Sequence, residues 1–334
     1  SSIEDFMPAD RSTQPSPSRS MSRLDRLRKW YHRKRLPKSL RHMNRLHPDF
    51  HLEQCGKNND PHYGIYWKGK PVGQTNPLTT LHKPSTRQCF IIATGPSLAE
   101  TDVSQLAGHT CFGVNGAIAL ADKSGLAFQY QLVSDGSFVR DRLPLVRRMI
   151  ASGAECLFSF AALGMLCEQD RALLASPKLY LLPEMNYRYQ VPRLDADDFR
   201  HWAMRQEGIS LHPDPAYNSG RVGFSRDINC GVFTAQTVVF EALQVAYYLK
   251  FRQVFILGMD LNARPGQARF YEQAGKAART RIDRDYAPYI LPAFEVARDI
   301  AAIEDFEIYN LSRDSRLPGT VIPKISLQEA LDMR

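Results

Sequence analysis

The chain has 334 residues, 43% hydrophobic and 23% charged, with a formal net charge of +8. That apolar share supports a sizeable core, and the length suits one large α/β domain plus an appendage better than two full enzymatic domains. No run approaches the roughly 18–20 apolar residues of a membrane-crossing helix, and the start lacks the apolar stretch of a secretory signal. Six cysteines are scattered with no CxxC pair, which argues against zinc ribbons and disulfide scaffolds and for a reducing compartment.

The charge is concentrated. Residues 19–47 hold eleven Lys or Arg against one acid, Asp25, so this stretch carries +10 and the rest of the chain is slightly acidic. Residues 1–20, rich in Ser and Pro, are expected to form a disordered tail. Over residues 21–50, Leu24, Leu27, Trp30 and Tyr31 fall at helical spacing among the Arg and Lys residues. Such a helix can lie flat in an anionic membrane interface. A basic nucleic-acid arm and a solvated tail are the competing readings.

Residues 51–86 are rich in Pro, Gly, Asn and Lys, and HYGIYW, KGK and PVGQT predict a small β-hairpin or linker. From residue 87 to 334 the texture changes. The runs CFIIA, CFGVN, QYQLVS, ECLFSF, KLYLL, QVFILG and FEIYNL alternate with helix-length segments. That pattern predicts a Rossmann-like, doubly wound and mostly parallel sheet covered on both faces. The stretch 231–249 is apolar nearly all round and predicts a buried helix. Residues 183–226, with prolines, charges and tyrosines but no long period, read as a lid inserted over the site.

Open α/β sheets bind ligands at the carboxyl ends of their strands. Reading those ends gives Thr94-Gly95-Pro96-Ser97, then Asn115, then Ser134-Asp135, and finally Asp260-Leu261-Asn262. Gly95 lets backbone approach a ligand, Pro96 suits the first turn of a helix, and free N–H groups there can receive a phosphate or ribose. A plain strand-to-helix turn has the same sequence. Asn229-Cys230-Gly231, ahead of the predicted buried helix, is a second anion-site candidate on the same grounds. Asn115 and Asn262 suit a base or a sugar, or serve as turn formers only. Asp195-Ala196-Asp197 and Asp283-Arg284-Asp285 match a DxD metal motif, yet neither follows a recognisable strand. All nine histidines lie at or before His212, with no HExxH pattern, so no metal site is predicted.

Taken together, FIIATGPSLAETDVSQL, CFGVNGAI and INCGVFTAQTVVFEALQVAYYLKFRQVFILGMDLN resemble the bacterial sialyltransferases of glycosyltransferase family 42. They are closer still to the lipopolysaccharide-core proteins that add a third 3-deoxy-manno-octulosonate (Kdo) from CMP-Kdo. The resemblance covers roughly residues 89–315, with a gap through the inserted region. It implies a modified GT-A, Rossmann-like domain in which the GPSL loop and Asn115 hold the donor and Ser134 faces it. Asn229-Cys230-Gly231 would touch the sugar carboxylate and phosphate. Where those enzymes set a tyrosine on the leaving phosphate this chain has Asn262, and Tyr271 is the nearest phenol. Where they carry a histidine base, near Pro288, no histidine exists, which leaves Glu272, Asp283, Asp285 and Tyr286 as candidates.

Arg264, Arg269, Arg279 and Arg281 cluster around those candidates and suit an acceptor bearing phosphates and carboxylates, or form a solvated face. The implied activity is inverting, metal-independent Kdo transfer from CMP-Kdo to the lipid A–core oligosaccharide, with no cofactor besides the donor. The implied location is cytoplasmic, peripheral on the bacterial inner membrane through residues 21–47, without a nucleic-acid partner; homo-oligomerisation stays open. A sialyltransferase-like enzyme using another CMP-nonulosonate is the near alternative. A pterin diphosphokinase-like transferase is the distant one, and it would need Mg²⁺ and ATP, for which the sequence offers no convincing acid pair. A non-catalytic binding module would leave the polar strand ends without a purpose.

Overall fold

The computed structural model describes residues 21–217, 221–262 and 282–333. In it each of the seven apolar runs becomes a strand. Three further strands precede them: β1 (Phe50–Lys57), β2 (Asp60–Trp67) and β3 (Lys70–Gln74) pair antiparallel in that order. The unit expected as a hairpin is therefore a three-stranded meander, because the alternating run FHLEQCGK also pairs. It is joined to the main sheet by Asn76, whose N–H donates to the Leu179 carbonyl at 2.7 Å and whose side-chain amide donates to Pro177 O at 2.7 Å.

The main sheet contains β4 (Gln88–Ile92), β5 (Cys111–Val114), β6 (Tyr130–Val133), β7 (Glu155–Phe158) and β8 (Leu179–Leu181). After a separate antiparallel pair, β9 (Ile209–Leu211) with β10 (Gly223–Ser225), come β11 (Gln253–Leu257) and β12 (Glu307–Asn310). The order is β12-β11-β4-β5-β6-β7-β8, parallel throughout. The chain winds outward from β4 to β8, then returns to the other side of β4. Hence the carboxyl ends of β4 and β11 stand side by side while their chains diverge, which is a topological switch point.

Strand side chains alternate between faces, and both faces are covered. Cys89, Ile91, Val254 and Ile256 pack with the helices Val238–Tyr248 and Leu291–Ile303. Phe90, Ile92, Phe255 and Leu257 pack with Leu143–Ala151 and Phe160–Gln169. The Val238–Tyr248 helix is buried all round, from Val239 to Ala246, as its composition predicted. It begins at Val238, not at 231: Ile228–Cys230 form a 3-10 turn, and Ala235 and Gln236 sit at φ 46° and 57°. Those left-handed residues break any helix attempted from 231.

Inside that helix Gln244 is fully buried and fully paired. Its Oε1 accepts from the Ser225 and Phe233 N–H groups, both at 3.0 Å, and its Nε2 donates to Phe233 O at 2.8 Å and Phe240 O at 2.9 Å. One side chain thus ties β10 and the 233 loop to the central helix.

The basic segment forms a helix over Arg23–Arg35, capped by Ser22, with none of its residues buried. Leu24 is 67% exposed, Leu27 63%, Trp30 48% and Tyr31 56%. The helix is shorter than the 21–50 expected, since Pro37 keeps Leu36 extended. Beyond it Met43, Leu46, His47 and Phe50 are buried in the domain. Two ion pairs clasp the helix to that domain, Arg28 bidentate on Asp49 and Lys29 on Glu168 at 2.6 Å.

Replacing Gln244 by Leu should remove the pairing of two N–H groups and one carbonyl that stay buried. At about 1–3 kcal/mol for each orphaned group, the loss of unfolding free energy in urea titration should reach at least about 3 kcal/mol. A loss below about 1 kcal/mol would refute the role given to Gln244.

Candidate active site

At the switch point the two loops that diverge from β4 and β11 are pulled together by one carboxylate. Asp260 Oδ2 accepts from the Ser97 N–H at 2.8 Å and Oδ1 from the Ser97 hydroxyl at 2.5 Å. The Gly95 N–H donates to Gly258 O at 2.8 Å. A Cβ on Gly95 would lie 2.4 Å from that carbonyl oxygen and 2.5 Å from Asp260 Oδ2, so only glycine fits. Ser97 is thereby turned away, and it borders a separate hollow on the far side of the loop.

Beside this contact a cleft of about 1030 Å³ opens across the carboxyl ends of the strands. Thr94, Gly95, Pro96, Asn115, Ser134, Asp135, Asp260, Asn262 and Asp283 all line it, so most of the residues singled out at strand ends converge. Asn115 holds a left-handed conformation, φ 50°, and its Oδ1 is buried with no partner among the described residues. Such an acceptor is available to an N–H or O–H of a ligand. Asp135 caps the Gly136–Asp141 helix, one oxygen accepting from the Ser137 N–H at 2.8 Å and the other from its hydroxyl at 2.6 Å. Asn262 donates to Asp314 O at 2.7 Å, and Asp283 is paired with Arg316 at 2.7 Å.

Several expected residues lie elsewhere. Asn229, Cys230 and Gly231 do not line the cleft. Asp227 caps their turn and Asn229 Nδ2 donates to Asp227 at 3.1 Å, while burial pushes the Cys230 thiol up. Gly231, at φ 112°, instead packs 3.0 Å from the Met185 N–H nitrogen, measured from where a Cβ would be. The segment leading into the following helix does reach the cleft, through Thr234, Ala235, Gln236 and Thr237. Asp285 is buried and bonded by Arg284 Nε at 2.9 Å, away from the cleft. Tyr286 donates its hydroxyl to Arg316 O at 3.0 Å. The first DxD match is explained locally, because Asp195 caps the Ala196–Ala203 helix. Tyr271, Glu272, Arg264, Arg269, Arg279 and Arg281 lie outside the described residues.

Two carboxylates in the cleft were not anticipated. Glu184 follows β8 and Glu241 projects from the first turn of the Val238–Tyr248 helix. Burial, reinforced by the Asp135 charge, pushes the Glu184 carboxyl up to about 7. Burial and then the Glu184 charge push Glu241 well above the ordinary range, against a hydrogen bond from Ser134 that works the other way. A signal for both was present in the sequence. Pro183-Glu184 ends the KLYLL strand, and Glu241 is the lone acid in the apolar stretch 231–249. The region 183–226 supplies a wall of the cleft through Glu184, Met185, Tyr187, Phe199 and Arg221.

The sequence profile described as 3-deoxy-D-manno-octulosonic acid transferase WaaZ matches residues 73–328. A probable 3-deoxy-manno-octulosonic acid transferase of Escherichia coli (strain K12) is 37% identical over 116 residues, 34% of this chain and 39% of that protein. The match to this relative thus spans about two-fifths of its length. A protein of the same description from Salmonella typhimurium (strain LT2) is 25% identical over 257 residues, 76% of this chain and 93% of that one. Among solved structures, the MAf glycosyltransferase of Magnetospirillum magneticum AMB-1 superimposes with a TM-score of 0.42 at 15% identity, over 76% of this chain and 36% of that one. At that distance the likeness bears on neither the site nor the reaction.

The raised carboxyls carry a stability signature. Above the ordinary glutamate value, and for Glu184 up to about 7, the folded chain keeps protons that the unfolded chain has released, so these groups lower stability as pH rises. Glu241→Gln should therefore melt higher than wild type at pH 8, with the difference shrinking towards pH 4. A constant difference across that range would contradict the assigned shift.

Proposed function

The chain belongs to the family of the 3-deoxy-D-manno-octulosonic acid transferase WaaZ, and on that premise we propose that it moves Kdo from CMP-Kdo to the inner core of lipopolysaccharide with inversion. The observation that carries this reading is the cleft at the switch point, with the unpaired Asn115 carbonyl inside it. Its volume is at the upper end of the range for ligand sites, about 300–1,000 Å³. That is room for an activated sugar and the acceptor group that attacks it.

In this reading Thr94, Gly95, Pro96, Asn115 and Ser134 hold the donor, and Asp260 fixes the loop that does so through Ser97. CMP leaves carrying a single phosphate. With no diphosphate charge to neutralise, hydrogen bonds from hydroxyl and N–H donors suffice and no metal or further cofactor is required.

The acceptor is lipid-linked, and the Arg23–Arg35 helix suits it. Its exposed Leu24, Leu27, Trp30 and Tyr31 stand among basic side chains, a composition that favours the interface of an anionic bilayer. Each basic residue near such a surface contributes about 1 kcal/mol. The assigned place is therefore the cytoplasmic face of the inner membrane, a reducing compartment that agrees with six free thiols.

CMP and CMP-Kdo, without added metal, should each raise the melting temperature of the full chain, and ATP with Mg²⁺ should not. Stabilisation by ATP–Mg²⁺ alone would overturn the donor assignment. Separately, the chain should co-sediment with phosphatidylglycerol-containing vesicles and not with pure phosphatidylcholine ones. Joint replacement of Leu24, Leu27 and Trp30 by Ser should weaken that binding at least about tenfold; equal binding to both vesicle types would remove the membrane assignment.

A further inference from the structure

Five acids line the cleft among the described residues: Asp135, Glu184, Glu241, Asp260 and Asp283. Three of them are already committed. Both oxygens of Asp135 accept from Ser137, and both oxygens of Asp260 accept from Ser97. Asp283 is paired with Arg316. Glu241 is 3% exposed, and burial and then the Glu184 charge push its carboxyl well above the ordinary range. Neither the Glu184 nor the Glu241 carboxyl has a hydrogen-bond or ion-pair partner in the geometry of the described residues, and Glu184 is the less deeply buried of the two.

Its backbone, by contrast, is held on both sides. The Val232 N–H donates to Pro183 O at 2.9 Å, the Met185 N–H donates to Val232 O at 2.8 Å, and Glu184 bridges Val232 in parallel. Gly231 at φ 112° permits that approach, since a Cβ there would come within 3.0 Å of Met185 and 3.2 Å of the Glu184 carbonyl carbon. A free carboxyl on a fixed backbone, open to a cleft, is the arrangement a general base requires.

We propose that Glu184 is the general base of the transfer, a role that rests on the Kdo-transferase reading given above. Its carboxylate takes the proton of the acceptor hydroxyl. The hydroxyl oxygen uses its electron pair to bond the anomeric carbon of the donor. The bond from that carbon to the phosphate oxygen breaks, and its electron pair leaves with CMP. Protonated Glu184 then returns the proton to water. Glu241, deeper in the same cleft, has its carboxyl pushed up by burial and then by the Glu184 charge, which opposes a second negative charge in the pocket an anionic donor must enter. The groups facing Glu184 are Asp135 and Glu241, with Arg221 and Asp283 elsewhere on the cleft wall. Burial and then the Asp135 charge push the Glu184 carboxyl up to about 7, where a base is most effective.

The test uses the full chain with CMP-Kdo and a lipid A–linked acceptor. Glu184→Gln should bind CMP within about threefold of wild type by calorimetry and lose at least about 100-fold in kcat, the lower bound for a positioned base. In wild type, kcat should rise with pH through about 7, and in Glu184→Gln that limb should vanish. Glu184→Ala should recover part of its turnover when formate is added, which a merely structural role would not produce. Should Glu184→Gln fold poorly, Glu184→Asp serves instead: it keeps a carboxylate one methylene short, so kcat should fall while CMP binding stays. If wild type binds CMP and transfers Kdo yet Glu184→Gln retains more than a tenth of the turnover, the base assignment is wrong and the transferase reading stands. If wild type neither binds CMP nor consumes CMP-Kdo, the donor reading falls and the base assignment falls with it.

Discussion

The contact between Ser97 and Asp260 sets the shape of everything around the cleft. β4 and β11 are neighbours whose chains must leave in opposite directions, so a gap opens between their loops by topology alone. Left unbraced, that gap would be filled by whichever loop relaxed into it. The Asp260 carboxylate braces it by accepting both the N–H and the hydroxyl of Ser97. Gly95 then passes so close to Gly258 and Asp260 that no side chain could be accommodated. The cleft is thus a by-product of strand order, kept open by a charge-assisted pair of hydrogen bonds.

The same interaction explains why acids in one pocket differ in what they can do. Asp135 and Asp260 each give both oxygens to the N–H and hydroxyl of a nearby serine, so each is engaged in bracing a loop. Burial and then the Glu184 charge push the Glu241 carboxyl well above the ordinary range. A carboxyl buried in an otherwise apolar helix opposes folding, and a fold keeps such a group where function needs it. Gln244, one turn later on the same helix, is the contrast: equally buried, it meets four partners and stabilises the fold.

The sheet was readable because each strand is a short run that is apolar on both faces, the pattern of a parallel sheet between two helical layers. Strand ends then located Thr94, Gly95, Asn115, Ser134 and Asp260 around one cleft. Glu184 escapes that reading because Pro183 masks the exit of the KLYLL strand. Glu241 escaped because its neighbours made the helix look uniformly apolar. The helix start was misplaced for a different reason. Ala235 and Gln236 adopt left-handed backbone that neither residue type advertises, and only tertiary packing selects it. Asn229-Cys230-Gly231 was then read as a helix N-terminus, whereas Gly231 serves the backbone of Glu184 and Met185.

The clasp on the basic helix has a geometric meaning. Arg28 on Asp49 and Lys29 on Glu168 join the helix directly to the strand-leading turn and to the Phe160–Gln169 helix. Its exposed apolar side is therefore not on a swinging tether. Wherever that side comes to rest, the mouth of the cleft takes a set tilt and a set height relative to it. Partly exposed ion pairs are weak, about 0–1 kcal/mol each, so the helix is held to the domain lightly, and its orientation loosens as salt screens them.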